Sequence, residues 1–212
     1  MYHNKTFLTA LKYPDPSSIA ERDMSKATMK ESLFSAKQLV PMAVGSLLYA
    51  ALTLPFEMYR AGTVFFVNPT IAIPMFFGIV FGPITGFVVG LIGTVLSDFL
   101  SFGGFFWNWE IGNGLVGAIP GIAYLVMKRT DWTKTRGLAI TAVLAVVASV
   151  VGIGFFAMTD YLFQTGLGLG SADSALAEFY SFAGSYALNG VILTPILLYA
   201  YARATTGRAR KT

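Results

Sequence analysis

Residues 81–114 read FGPITGFVVGLIGTVLSDFLSFGGFFWNWEIGNG. The stretch opens with Gly82-Pro83, a turn signal, and continues without a charge as far as Asp98. It then meets a glycine pair, a knot of aromatics, Glu110 and Asn113. About twenty apolar residues cross a bilayer. The first half therefore predicts a membrane span, the aromatic and polar cluster its connection, and the continuation from 110 a second span.

The rest of the chain extends this pattern. It has 212 residues, 55% of them hydrophobic and 12% charged, with a mean hydropathy of +0.63. A soluble domain carries roughly twice that charged fraction. The apolar runs are too long and too uniform for the ~10-residue alternating strands of a membrane barrel. The fold class is therefore an all-α membrane protein, a six-transmembrane-helix bundle with spans at 39–56, 67–81, 83–101, 110–127, 137–159 and 178–202. The second span contains Pro69 and Pro74 and joins the third through a tight hairpin at Phe81-Gly82-Pro83.

Charge tests the layout. Lys5, Lys12, Arg22, Lys26, Lys30 and Lys37 precede the first span, and Lys128, Arg129, Lys134 and Arg136 lie between the fourth and fifth. Arg203, Arg208, Arg210 and Lys211 follow the last. With six spans all of these share one face, and only Arg60 falls on the other; five spans would spoil the asymmetry. The positive-inside rule then places the N and C termini in the cytoplasm of a prokaryotic cell, with the chain in its plasma membrane. The expected organisation is a cytoplasmic tail at 1–36, with a stretch at 26–39 suited to lying on the membrane surface, a transmembrane domain at 37–203 and a basic tail at 204–212. The tail lacks the apolar core of a signal peptide.

Composition excludes several chemistries. Cysteine is absent and the single histidine is His3, so no disulfide, thiolate metal site, cysteine nucleophile or buried imidazole is available. No GxxxxGK[ST] occurs, so the chain carries no P-loop. No metal or cofactor is expected. The pI near 9.3 comes from the cytoplasmic loops and suits anionic lipid headgroups rather than nucleic acid.

Three outer connections carry the candidate chemistry: 57–69, 101–110 and roughly 161–182. They mix aromatics with a few hydrogen-bonding groups, the composition of a small-molecule pocket. Flat heteroaromatic molecules stack on such rings, while carboxylates and amides bind ring nitrogens and hydroxyls. The candidate binding residues are Glu57, Arg60, Asn68, Asp98, Trp107, Asn108, Trp109, Glu110, Asn113, Tyr161, Gln164, Tyr180 and Asn189. Most have a plainer reading. Trp107 and Trp109 also suit interfacial anchors, Arg60 suits a pair with Glu57, and Glu110 suits the completion of a helix N-terminus. Asn113 and Asn189 suit hydrogen bonds between helices, and Tyr161, Gln164 and Tyr180 suit ordinary loops. Asp98 is the hardest to explain this way, because a carboxylate at a span end is costly unless wet, paired or functional.

Gly82, Gly86 and Gly90 recur every fourth position and form one smooth helix face, the usual means of close helix packing in lipid. Ala43, Ser46 and Ala50 form a second smooth stripe on the first span, equally suited to a partner membrane protein and to packing within the chain. NGLVGAIPGIAYLVMKR (113–129) faintly echoes NGVILTPILLYAYAR (189–203), a hint of related halves.

The ordered combination Phe81-Gly82-Pro83, Gly86, Val89-Gly90, Ile92-Gly93, Asp98, Leu100-Ser101, Gly103-Gly104 and Trp107-Asn108-Trp109 resembles the substrate-binding S components of energy-coupling factor (ECF) vitamin transporters, the riboflavin-type branch above all. The resemblance implies a vitamin pocket near the extracytoplasmic face, capped by the loop between helices one and two. It implies partners too: a transmembrane coupling protein, met by the Ala43, Ser46, Ala50 face, and two ATPase subunits. Here Ser46-x-x-x-Ala50 stands where the family has Ala-x-x-x-Ala. The aromatic loops suit riboflavin or thiamine, and also a corrin, pterin or purine-like molecule. Two other classes compete: an intramembrane enzyme using Asp98 and Glu110 as a carboxylate pair, and a self-sufficient channel or secondary transporter, which would place ionisable groups at the bilayer midplane.

Overall fold

The computed structural model describes residues 36–59, 68–126, 134–166 and 171–209. They form six α-helices, one 3-10 turn and no strand. The helices are α1 (Ala36–Tyr59), α2 (Ala72–Phe81), α3 (Pro83–Phe102), α4 (Trp107–Val126), α5 (Thr135–Gly166) and α6 (Ala172–Ala209), with the 3-10 turn Pro69–Ile71 leading into α2. The expected interfacial stretch at 26–35 lies outside the described residues.

Four helices, α1, α3, α5 and α6, are long and apolar enough to cross a membrane. Their large apolar side chains stand on the perimeter: Leu47 and Leu52 on α1, Val143, Val147 and Val150 on α5, Ile192 and Ile196 on α6. A soluble protein rarely exposes so much contiguous apolar surface; against lipid tails it costs nothing.

The second segment departs from the expected span. Pro69–Phe81 is a short apolar helix of 13 residues, about 20 Å at 1.5–2 Å per residue against a hydrocarbon core of ~30 Å. It begins inside the bundle. The buried side chain of Asn68 caps the 3-10 turn, accepting from the Thr70 amide at 3.1 Å and from the Thr70 hydroxyl. The Thr70 hydroxyl also meets that of Thr53 on α1 at 2.6 Å. Ile71, Met75 and Ile79 are fully enclosed, so α2 is a plug within the bundle.

The α2–α3 hairpin is as tight as the Gly82-Pro83 signal predicts. Gly82 adopts φ 105°, a conformation that needs glycine, and its amide donates to Gly78 O at 2.8 Å. Pro83 takes the first position of α3, where its missing N–H is harmless.

Glycine contacts give the helix directions. Gly86 packs on Gly117, Gly90 on Asn113 and Gly121 on Pro83, so α3 and α4 are antiparallel. Gly112 packs on Gly152 and Phe156, which makes α4 and α5 antiparallel as well. Gly45 meets Val89, and Gly93 meets Tyr49, so α1 and α3 run in parallel. Phe102, Trp107, Gly166 and Ala172 consequently fall at one end of the bundle, opposite the ends that lead to the termini.

α5 and α6 are longer than expected. At 32 and 38 residues they span about 48 and 57 Å, well beyond the ~30 Å hydrocarbon core. The stretch 161–182, expected as a loop, is helical on both sides of residues 167–170, and α6 also continues to Ala209, past the boundary drawn at 203. Ser171 caps α6: its hydroxyl accepts from the Ser174 amide at 3.2 Å, and Ser174 Oγ accepts from the Ser171 amide at 3.2 Å, the reciprocal arrangement of a capping box.

Candidate binding site at the α3–α4 end

Helix α4 organises the site. Its first turns carry polar groups into the bundle, which is why it falls short of the hydropathy of the four spanning helices. Glu110 is 1% exposed and Asn113 is 3% exposed. They stand three residues apart, on one helix face. Gly117, seven residues beyond Glu110 on that face, abuts the Gly86 carbonyl and Pro74, so the face looks toward α3 and α2.

Glu110 completes the start of its own helix: the Phe106 amide donates to Oε1 at 2.8 Å. This satisfies one of the free N–H groups of a helix N-terminus and places negative charge where the helix dipole favours it. Glu110 Oε2 and Asn113 Oδ1 are buried and have no hydrogen-bond partner. Asp98, in the last turns of α3, is buried at the same end.

Asn108 ties α4 to α5, donating from Nδ2 to Asp160 Oδ1 at 2.6 Å. A hydrogen bond to a charged group contributes about 1.5–3 kcal/mol, so Asn108→Ala is expected to lower the thermal midpoint of the purified protein by several degrees, read by size-exclusion after heating. An unchanged midpoint would mean that the link carries no stability.

Trp109, about 100° round α4 from Glu110, faces α5 and α6. Its ring stacks on Phe156 at 4.0 Å and 19° and meets Phe182 edge-on at 4.9 Å. Phe182 also contacts Phe156 and Tyr186. This aromatic wall, rather than an interfacial anchor, is the place of Trp109. Phe156, Phe182 and Tyr186 were not among the sequence candidates; the spacing of Phe179, Phe182 and Tyr186 at i, i+3, i+7 marks a single helix face and was the available signal.

The other candidates disperse. Trp107 is 40% exposed, edge-on to Phe155 and Phe163 at 6.5 and 5.5 Å, on the perimeter where an interfacial ring belongs. Tyr180 is 69% exposed and Tyr161 also lies outward. Asn68 is committed to its cap. Asn189 donates to Ser185 O of its own helix at 2.8 Å, so the echo between 113–129 and 189–203 does not give the two asparagines one role. The side chains of Glu57 and Gln164, and Arg60 altogether, lie outside the described residues.

The proposed docking stripe is also corrected. Ser46 and Ala50 are buried within the bundle and only Ala43 is exposed; Ser46 Oγ donates to Val88 O at 3.5 Å. Smooth residues on α1 admit α3 of the same chain, so Ser46 and Ala50 are not open to a partner.

Two hollows lie between the ends of α5 and α6. One, of about 390 Å³, is open and apolar, lined by Gly154, Ala157, Met158, Tyr161, Ala172, Ala175, Leu176 and Phe179. Its neighbour, of about 230 Å³, is lined by Asp160, Tyr161, Ser174, Ala175 and Glu178. Among the described residues no cluster of three or more His, Cys, Asp or Glu side chains could hold a metal ion.

Residues 33–203 match the family described as ECF-type riboflavin transporter, S component. The chain is 34% identical over 130 residues to the UPF0397 protein VS_II0189 of Vibrio atlanticus (strain LGP32), across 60% of this chain and 71% of that protein. It is 35% identical over 129 residues to the UPF0397 protein VSAL_I1988 of Aliivibrio salmonicida (strain LFI1238), across 59% and 70%. No solved structure matches it. With its apolar helices, polar buried end and a family match running from before α1 into α6, the chain belongs to the ECF-type riboflavin transporter S component family, a family of multi-pass, substrate-binding membrane subunits and not of enzymes.

Proposed function

We propose that this subunit captures riboflavin, or a related flat heteroaromatic vitamin, at the extracytoplasmic face of a prokaryotic plasma membrane. It hands that molecule to a transmembrane coupling protein driven by two ATPase subunits. The observation that carries the reading is the pairing of an aromatic wall, Trp109–Phe156–Phe182, with buried polar groups on the adjacent face of α4. Rings supply stacking area and a few fixed polar atoms supply orientation. The chain contributes binding, and its partners contribute energy.

The test is uptake of labelled riboflavin into proteoliposomes. With the coupling protein and ATPases present, uptake requires ATP; with this chain alone, none occurs. Accumulation by the chain alone under an ion gradient would replace the proposal with a secondary transporter.

The direction of insertion follows from the cationic loops: both termini are cytoplasmic and the α3–α4 and α5–α6 connections are outside. The cysteine-free sequence makes this easy to measure. In intact cells Ser171→Cys is expected to react with a membrane-impermeant maleimide and Lys134→Cys is not; the reverse pattern would invert the topology.

A further inference from the structure

We propose that Glu110 Oε2 and Asn113 Oδ1 act together as the donor-reading point of the substrate pocket. The molecule bound there turns hydroxyl or ring N–H groups, not carbonyls or a phosphate, toward this face of α4. The inference rests on the binding-subunit reading and deepens it by naming the chemistry of the substrate edge.

The geometry makes the two oxygens unusual. Buried polar atoms in folded proteins are nearly always hydrogen-bonded. Here two acceptors stand three residues apart on one helix face, each in a side chain more than nine-tenths buried, and neither has a partner. The other carboxylate oxygen of Glu110 is already engaged by the Phe106 amide at 2.8 Å, which fixes the orientation of the group. A carboxylate accepts only, and an amide oxygen accepts only. Such a pair is complemented by donors, and it repels an anion. A site whose buried groups are built to hydrogen-bond a ligand discriminates strongly against analogues that lack the matching atoms, because its own groups are then left unpaired.

Two parts of a riboflavin-like molecule offer donors, the imide N–H of the ring and the hydroxyls of the sugar-alcohol chain. The experiment separates them. The full-length protein, purified in detergent, is titrated with riboflavin, with N3-methylriboflavin and with lumiflavin, following flavin and tryptophan fluorescence. The wild type is compared with Glu110→Gln, Asn113→Leu and Asn113→Asp. Glu110→Gln keeps an oxygen for the Phe106 amide and turns the free acceptor into a donor. It is expected to weaken riboflavin binding by about 30-fold, and Asn113→Leu by about 10-fold. Asn113→Asp, which retains the acceptor, stays within about threefold of wild type.

Ligand-free Asn113→Leu, which removes a buried acceptor without a partner, is expected to melt no lower than wild type, a result that a purely structural role for the group would not give. Loss of affinity for N3-methylriboflavin assigns the donor to the ring; loss for lumiflavin assigns it to the chain. Wild-type affinity in both Glu110→Gln and Asn113→Leu would overturn the proposal and leave the binding-subunit reading standing, with water serving the two oxygens. Should Glu110→Gln not fold, Asn113→Leu against Asn113→Asp decides. A wild-type protein that binds neither riboflavin nor its analogues at millimolar concentration overturns the riboflavin reading, and this inference with it.

Discussion

Gly117→Val is expected to leave no folded protein: the variant should elute aggregated, or be degraded in the cell, where the wild type gives one sharp peak. A Cβ on Gly117 would lie 2.1 Å from the Gly86 carbonyl oxygen and 2.6 Å from its carbon, and one on Gly86 would lie 2.2 Å from the Gly117 oxygen. Both obstacles are backbone, so no rotamer change relieves them. Adding a branched side chain forces α4 away from α3, along the contact that also seats Gly90 on Asn113, and away from α2, whose Gly78 packs on Gly117. Overpacking of a well-packed core costs about 1–3 kcal/mol, and an obstacle made of backbone belongs at or above the top of that range. The control is Gly184→Ala on α6, where an added Cβ meets nothing within 4 Å. There the substitution removes a flexible residue from a helix interior and is expected to be neutral or stabilising by up to ~1 kcal/mol. Equal behaviour of the two variants would show that the α3–α4 contact is not the close packing described.

Trp109→Ala is expected to have the second largest effect, on stability and on binding together. The indole stacks on Phe156 at 4.0 Å and meets Phe182 at 4.9 Å, joining α4 to α5 and α6 at the end where the site lies. Removing a large aromatic from such a position costs about 3 kcal/mol, and the ring pairs add about 0.5–1.5 kcal/mol beyond their buried area. The thermal midpoint should fall by roughly 7–18 °C, the usual conversion for a chain of this size. Trp109→Phe, which keeps a ring against Phe156, should recover most of that loss. A Trp109→Ala protein with the wild-type midpoint would remove the aromatic wall from the account.

How far the sequence foretold these features depended on whether the signal was local. The α2–α3 hairpin was legible because Gly82 and Pro83 act within their own turn, one through its positive φ and the other through its missing N–H. Helix α3 was legible because about twenty apolar residues have few other fates. The ends of α5 and α6 were not: Asp160, Gln164 and Ser174 look like loop residues, yet a helix that has left the lipid carries polar groups as readily as a loop. The shortness and protein cover of α2 were hidden for a related reason, since an apolar run shows that a segment is buried but not whether lipid or protein covers it. The same ambiguity governed Ser46 and Ala50, where small residues announce a close neighbour without naming it. In the site, Asp98, Glu110 and Asn113 stood out as the few polar groups of an apolar stretch, but their burial was not legible, because a polar residue at a helix end is as readily solvated as enclosed. The pairing of Trp109 with Phe156, 47 positions away, required the fold.

The most direct test of the central claim, that the buried end of this bundle is a receptacle for a small molecule, is equilibrium binding by the purified chain without partners. The protein is extracted gently, any bound molecule is identified by mass spectrometry after denaturation, and the emptied protein is titrated with it. One flat, donor-bearing heteroaromatic molecule per chain is expected, bound below micromolar concentration and quenching tryptophan fluorescence. Recovery of no small molecule, together with no saturable binding of riboflavin or other vitamins up to millimolar concentration, would contradict it.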